Sequence, residues 1–141
     1  MFNEPQGGSG GLGIVLLVED EALVSAMIED YLLELGASRV IVAASAEQAL
    51  EALNHERPSC AILDVLVGAR DSFPVADALV KRGIPFAFVS GFGREDIVAR
   101  HRDRPFLGKP FHIEHLTRCV AGLVPGARTS PEALDGAPLE P

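Results

Sequence analysis

The stretch "CAILDVLVG" (60–68) runs apolar from Cys60 to Leu63, meets Asp64, and resumes with Val65, Leu66 and Val67. A short continuous apolar run ending at turn residues predicts a strand buried on both faces. A carboxylate at the end of such a strand is costly unless it is paired, hydrogen-bonded or bound to a cation. The reading therefore turns on two points: how many strands of this kind the chain holds, and what stands at their ends.

The same pattern recurs on either side. "IVLLV" (14–18) predicts a first strand, and Val24, Ile28, Tyr31, Leu32 and Leu35 then form one helical stripe that Gly36 stops. "RVIVAA" (39–44) predicts a second strand, followed by "SAEQALEAL" (45–53), with Ser45 and Gln48 spaced as a capping box. The third strand is "SCAILD" (59–64); Pro74 can open the next helix, with Val75, Leu79 and Val80 as its apolar face and Gly83 as its end. "PFAFVS" (85–90) predicts a fourth strand, 94–101 a short arginine-rich helix, and "PFLG" (105–108) a fifth strand. Ile113, Leu116, Val120 and Leu123 mark the last helix. Five alternations with right-handed crossovers predict an α/β fold: a five-stranded parallel sheet, order 2-1-3-4-5, in the flavodoxin-like doubly wound (βα)5 arrangement.

In such a sheet the strand C-termini share one edge, and ligands bind outside it. Strand one ends in Glu19-Asp20, strand three in Asp64, strand four in Ser90-Gly91 and strand five in Gly108-Lys109-Pro110. Three carboxylates repel one another without a counter-charge, which a hard divalent cation such as Mg²⁺ and the ammonium of Lys109 would supply. Carboxylate, hydroxyl, ammonium and metal together suit a phosphoryl group. Taken singly, each residue reads as a turn, an N-cap or solvated surface. Their order at successive strand ends is what carries the functional reading.

Composition narrows the rest. The 141 residues carry a formal net charge of -8 and a pI of about 4.9, which disfavours nucleic acid as a partner. The hydrophobic share of 48% suffices for one domain, expected over 13–124. Residues 1–12, glycine-rich at "GGSGG" (7–11), read as a flexible lead-in. "PGARTSPEALDGAPLEP" (125–141) reads as a disordered tail, too short for an output domain. Cys60 and Cys119 read as reduced core thiols. With no membrane-length apolar stretch and no secretion signal, the expectation is no membrane association and a cytoplasmic location.

The motifs "LLVEDE" (16–21), "AILDV" (61–65), "FVSGFG" (88–93) and "FLGKPF" (106–111) together resemble the receiver domain of two-component response regulators, over about residues 13–124. "FAFVSGFG" (86–93) and "DSFPVADAL" (71–79) look similar to stand-alone receivers common in alphaproteobacteria. The resemblance implies a single-domain, non-enzymatic signalling switch. Asp64 would be the phosphoacceptor, taking phosphate from a sensor histidine kinase or phosphotransfer protein. Glu19, Asp20, Asp64 and the main-chain carbonyl of Leu66 would hold Mg²⁺. Ser90, Lys109 and Phe106 would be the phosphoryl-binding and switch residues. Signals would leave by protein contacts through the fourth helix, fifth strand and last helix (α4-β5-α5 in the family's usual order). Leu66 and Phe92 match positions that tune dephosphorylation; two apolar residues there are expected to screen the phosphate from water. Glu19 replaces the commoner aspartate of the metal site.

Three other functions fit the fold but not the residues. A haloacid dehalogenase-type phosphatase needs a second acid where Leu66 stands. A flavodoxin-like cofactor binder needs a phosphate-cradling loop where "EDEAL" (19–23) is acidic. A phosphorylation-independent interaction module would have lost the acceptor or the lysine. Arg94, Arg100, Arg102 and Arg104 read either as a solvated helix face or as a surface for an acidic partner or a homodimer. His112 and His115 read as surface or capping residues.

Overall fold

The computed structural model describes residues 11–91 and 93–124. Its main sheet is built from β1 (Gly13–Val18), β2 (Ala37–Ala43), β3 (Cys60–Asp64), β6 (Phe86–Ser90) and β7 (Phe106–Gly108). All neighbours pair in parallel, in the order β2-β1-β3-β6-β7. This is the expected 2-1-3-4-5 order, with the reversal of winding falling between β1 and β3. The helices are α1 (Ala22–Glu34), α2 (Ala46–Leu53), α3 (Phe73–Arg82) and α4 (Ile113–Leu123).

The continuous apolar runs arise because the central strands have two covered faces. Along β1, Leu16 and Val18 enter one core while Val15 and Leu17 enter the other. β3 divides likewise, Ala61 and Leu63 against Cys60 and Ile62, and β6 places Phe86 and Phe88 opposite Ala87 and Val89. The first core is closed by Ala49 and Leu53 of α2 and Val75 and Leu79 of α3; the second by Ile28 and Leu32 of α1 and Leu116 and Val120 of α4. Each buried Leu, Ile, Val or Phe contributes about 1.5–3 kcal/mol. Leu12, assigned from sequence to the flexible lead-in, belongs to the second core and donates its N–H to the Gly36 carbonyl. Residues 1–10 and the tail expected over 125–141 lie outside the described residues.

Local signals account for the helix ends. Ser45 accepts a hydrogen bond from the Gln48 N–H at 3.1 Å, and Gln48 Oε1 accepts one from the Ala44 N–H at 2.8 Å. Pro74 lies in the first turn of α3, and Gly83 ends that helix at φ 69°, a left-handed value that suits glycine. Cys60 is buried, and burial pushes its thiol to about 12 and that of Cys119 to about 11, so both stay protonated.

Two parts depart from expectation. A small antiparallel ribbon, β4 (Leu66–Val67) with β5 (Arg70–Asp71), follows Asp64 directly. The predicted helix over 94–101 is absent: two 3-10 turns, Arg94–Asp96 and Ala99–His101, stand there. Ile97 and Val98 between them have extended ψ values of 133° and 146°. Two adjacent β-branched residues, Ile97 and Val98, disfavour a continuous helix through the middle of the segment. The segment still buries Ile97 and His101. The His101 ring sits among Phe73, Phe86 and Phe88, with centroids about 6 Å away. Its Nε2 lies 2.7 Å from Asp77 of α3, which also accepts two bonds from Arg100, at 2.9 and 2.8 Å.

Arg100 holds the Asp77 carboxyl down at about 2, against the opposing effect of burial and with help from His101. A carboxyl with a depressed folded pKa stabilises above its unfolded value and loses that contribution as pH falls through the folded one. Because Asp77 is half exposed, solvent screens the pair and the gain is about 1 kcal/mol. Asp77→Asn is therefore expected to lower stability by about that amount at pH 7. In urea titrations the gap should narrow between about pH 4 and about pH 2.

Candidate functional site

The sheet register assembles the site. Val18 pairs with Leu63, so the next residues, Glu19 and Asp64, emerge level from β1 and β3. Ser90 pairs with Gly108, so Lys109 emerges one step beyond Ser90. Its N–H is tied to the Ser90 carbonyl at 2.8 Å. Four of the five polar residues expected at the strand ends thus come from four strands without any help from helix packing; Asp20 follows Glu19 on the same strand end.

At the centre, the Lys109 ammonium donates to Glu19 Oε1 and Asp64 Oδ2, each at 3.0 Å, with Glu21 at 3.8 Å. The Glu19 side chain is 1% exposed and that of Asp64 13%, so this cation neutralises two acids largely removed from water. Burial pushes the Glu19 carboxyl above its ordinary range, against the Lys109 and Glu21 N–H hydrogen bonds, and the Asp64 charge adds to the rise. Burial works to lower the Lys109 pKa. The Asp64 and Glu19 hydrogen bonds outweigh it, so the ammonium stays charged.

Glu19, Asp20 and Asp64 each offer a carboxylate oxygen, all within 4.8 Å of one another, with Asp20 exposed. An all-oxygen, all-carboxylate donor set open to solvent on one side fits Mg²⁺, which prefers such ligands and keeps several waters.

The ribbon completes the rim. At its turn Gly68, at φ 66°, donates its N–H to Asp20 Oδ2 at 3.0 Å. Leu66, in β4 opposite Asp71 and two residues after Asp64, is 42% exposed. Sequence reasoning missed the ribbon, although "VGAR" (67–70) places a turn glycine between two short extended pairs. It also missed Glu21 as a third acid near Lys109.

The remaining expected residues are distributed as follows. Ser90 ends β6, 1% exposed, directly below the rim. Phe106 opens β7, half-buried against the first core, with the Arg94 guanidinium 5.2 Å from its ring centroid. Phe92 lies outside the described residues. The four arginines are not a bare charged face. Arg94 and Arg102 bind main-chain carbonyls, Arg100 binds Asp77, and Arg104 stacks 4.6 Å over Phe86. His112 caps α4, its N–H directed to His115 Nδ1 at 3.4 Å, in keeping with a capping role.

A family model described as the response regulator receiver domain matches residues 15–121. The chain belongs to the response regulator receiver family. This receiver is 37% identical to SdrG of Sphingomonas melonis Fr1, whose solution structure it matches with a TM-score of 0.67, over 79% of this chain and 96% of that one. It is 34% identical over 110 residues to the transcriptional regulatory protein PdtaR of Mycobacterium tuberculosis, covering 75% of this chain and 54% of PdtaR. The receiver thus spans about half the length of that curated relative. At 23% identity, and hence informative for the fold alone, the receiver domain of sensor histidine kinase PA1611 from Pseudomonas aeruginosa PAO1 superposes with a TM-score of 0.65, covering 80% of this chain and 97% of that one. That structure is described with a magnesium ion coordinated in its active-site cleft. No helix among the described residues is long and apolar enough to cross a membrane.

Removing the shared cation should expose the cost of the carboxylate pair. Lys109→Ala is expected to destabilise the metal-free receiver by about 3 kcal/mol at neutral pH. Lys109→Ala/Glu19→Gln should regain part of that loss in the same denaturant titrations.

Proposed function

We propose that this receiver is a phosphoryl-accepting switch: Asp64 takes a phosphoryl group from a histidine kinase or phosphotransfer protein in a Mg²⁺-dependent reaction. The observation that carries the reading is the Lys109 ammonium 3.0 Å from both Glu19 and Asp64, beside a third carboxylate. In the transfer, an Asp64 oxygen forms the new P–O bond while the donor's N–P bond breaks, and the leaving imidazole takes up a proton. The transition state is loose, so the protein's contribution is alignment and charge neutralisation rather than covalent chemistry. Bound Mg²⁺ would offset the negative charge of the entering group; Glu19, Asp20, Asp64 and the Leu66 carbonyl are its proposed ligands.

Lys109 then has a second task. It leaves the carboxylate pair to bond the phosphoryl oxygens, and the Ser90 hydroxyl bonds another. Phe106, with no hydroxyl of its own, reports this change through packing alone. The acceptor is consumed and regenerated, so the chain acts as a signalling component rather than as an enzyme. Leu23, 88% exposed, and Met27 on α1 start just beyond the acidic pair and supply an apolar rim over which a donor can dock. With the fourth helix replaced by turns, the outgoing contact surface is β7, the 93–104 segment and α4. A cytoplasmic location is consistent with this reading.

Incubation with a small phosphodonor and Mg²⁺ should add the mass of one phosphoryl group to the wild-type chain and none to Asp64→Asn. Chelation of Mg²⁺ should abolish the gain; labelling of Asp64→Asn to the wild-type extent would refute the assignment.

Leu66 and Phe92 are proposed to screen the phosphate from water. Leu66→Asn and Phe92→Ala should each shorten the phosphate half-life by several-fold, on the scale of about 1 kcal/mol of lost barrier. The check is the decay of the phosphorylated mass after removal of the donor.

A further inference from the structure

Among the described residues, the 93–104 segment has backbone hydrogen bonds only within its own turns: Asp96 to Gly93, Ile97 to Arg94, His101 to Val98, Arg102 to Ala99 and Arg104 to His101. Among these none joins the first turn to the second. Side chains do. Arg94 Nη1 donates to the Arg102 carbonyl at 2.9 Å and the Arg104 carbonyl at 2.8 Å, and Arg102 Nε donates to the Ile97 carbonyl at 2.9 Å. The Arg94 guanidinium also rests 5.2 Å from the centroid of Phe106, the residue three before Lys109. One planar cation therefore closes the segment end to end and uses the aromatic face as its platform. A guanidinium suits this role because it stacks and donates at once. The far end is pinned separately, by Asp77 on Arg100 and His101.

We propose that Arg94 is a positioning residue that couples the placement of Phe106 to the order of the 93–104 segment. With the ring in place, the guanidinium is held where both carbonyls can reach it. With the ring displaced, the closure loses its platform and the segment opens about the Asp77 anchor. The coupling is a property of the unphosphorylated chain, so it stands or falls independently of whether Asp64 accepts a phosphoryl group.

Amide hydrogen exchange on the 141-residue wild-type chain, Arg94→Ala, Phe106→Ala and the double variant tests it. Each single substitution should speed exchange at Ile97–Arg104 by about tenfold, the scale of one lost hydrogen bond. The double variant should be no faster than the faster single, because both remove one coupled contact. Aromatic NMR signals of Phe106 should shift in Arg94→Ala and hold in Asp77→Asn, which loosens the other end only. Amides of β1 and β3 serve as the internal control for global unfolding; if Phe106→Ala loosens them, Phe106→Leu, which keeps apolar volume without an aromatic face, takes its place. Unchanged exchange in Arg94→Ala, multiplying effects in the double variant, or unmoved Phe106 signals would overturn the coupling.

Discussion

One ammonium shared between two carboxylates is the constraint on which the site depends. Glu19 and Asp64 leave adjacent strands side by side, and sheet register leaves them no room to separate. Two such acids, mostly withdrawn from water, repel strongly unless a cation lies between them. Lys109 fills that place at 3.0 Å from each. Its own position is set by β7 through the bond of its N–H to the Ser90 carbonyl. The charge balance of β1 and β3 is thereby linked to the β6–β7 edge. Any event that draws Lys109 toward a new anion must also redistribute charge on Glu19.

Much of this was legible in the chain itself. Short unbroken apolar runs rich in β-branched residues identified the central strands, and the strand order followed from alternation and crossover handedness. Listing the residue after each run found Glu19, Asp20, Asp64, Ser90 and Lys109, because a parallel sheet puts those positions on one edge whatever the helices do. What escaped notice was set by other forces. The β4–β5 ribbon contains two residues per strand, too few for a periodic signal, and it is held to the site by a Gly68 N–H that no side-chain pattern reveals. The expected helix over 94–101 failed for a related reason. Ile97 and His101 have helical spacing, yet their burial is achieved by two turns whose connection runs through arginine side chains to carbonyls.

Those arginines changed meaning between sequence and structure. Read as a row of charges, they suggest a surface for an acidic partner. Seen in place, Arg94 and Arg102 bind main-chain carbonyls across the turns, Arg100 pairs with Asp77, and Arg104 covers an aromatic ring. His101, an ordinary polar letter in the chain, turns out to be the side chain that fills the space among Phe73, Phe86 and Phe88. The segment is thus well packed underneath, through Ile97 and His101, and lightly fastened along its length.

The origin of the site groups also bears on how such a chain can diverge. The carboxylates, the lysine and the buried serine are delivered by strand ends whose spacing is dictated by the sheet, while α1, the turns after β6 and α4 present their outer faces to whatever docks there. Substitution on those outer faces can retarget recognition while the chemistry is inherited intact. Duplicated copies of one such gene could therefore drift toward separate circuits without passing through an inactive ancestor.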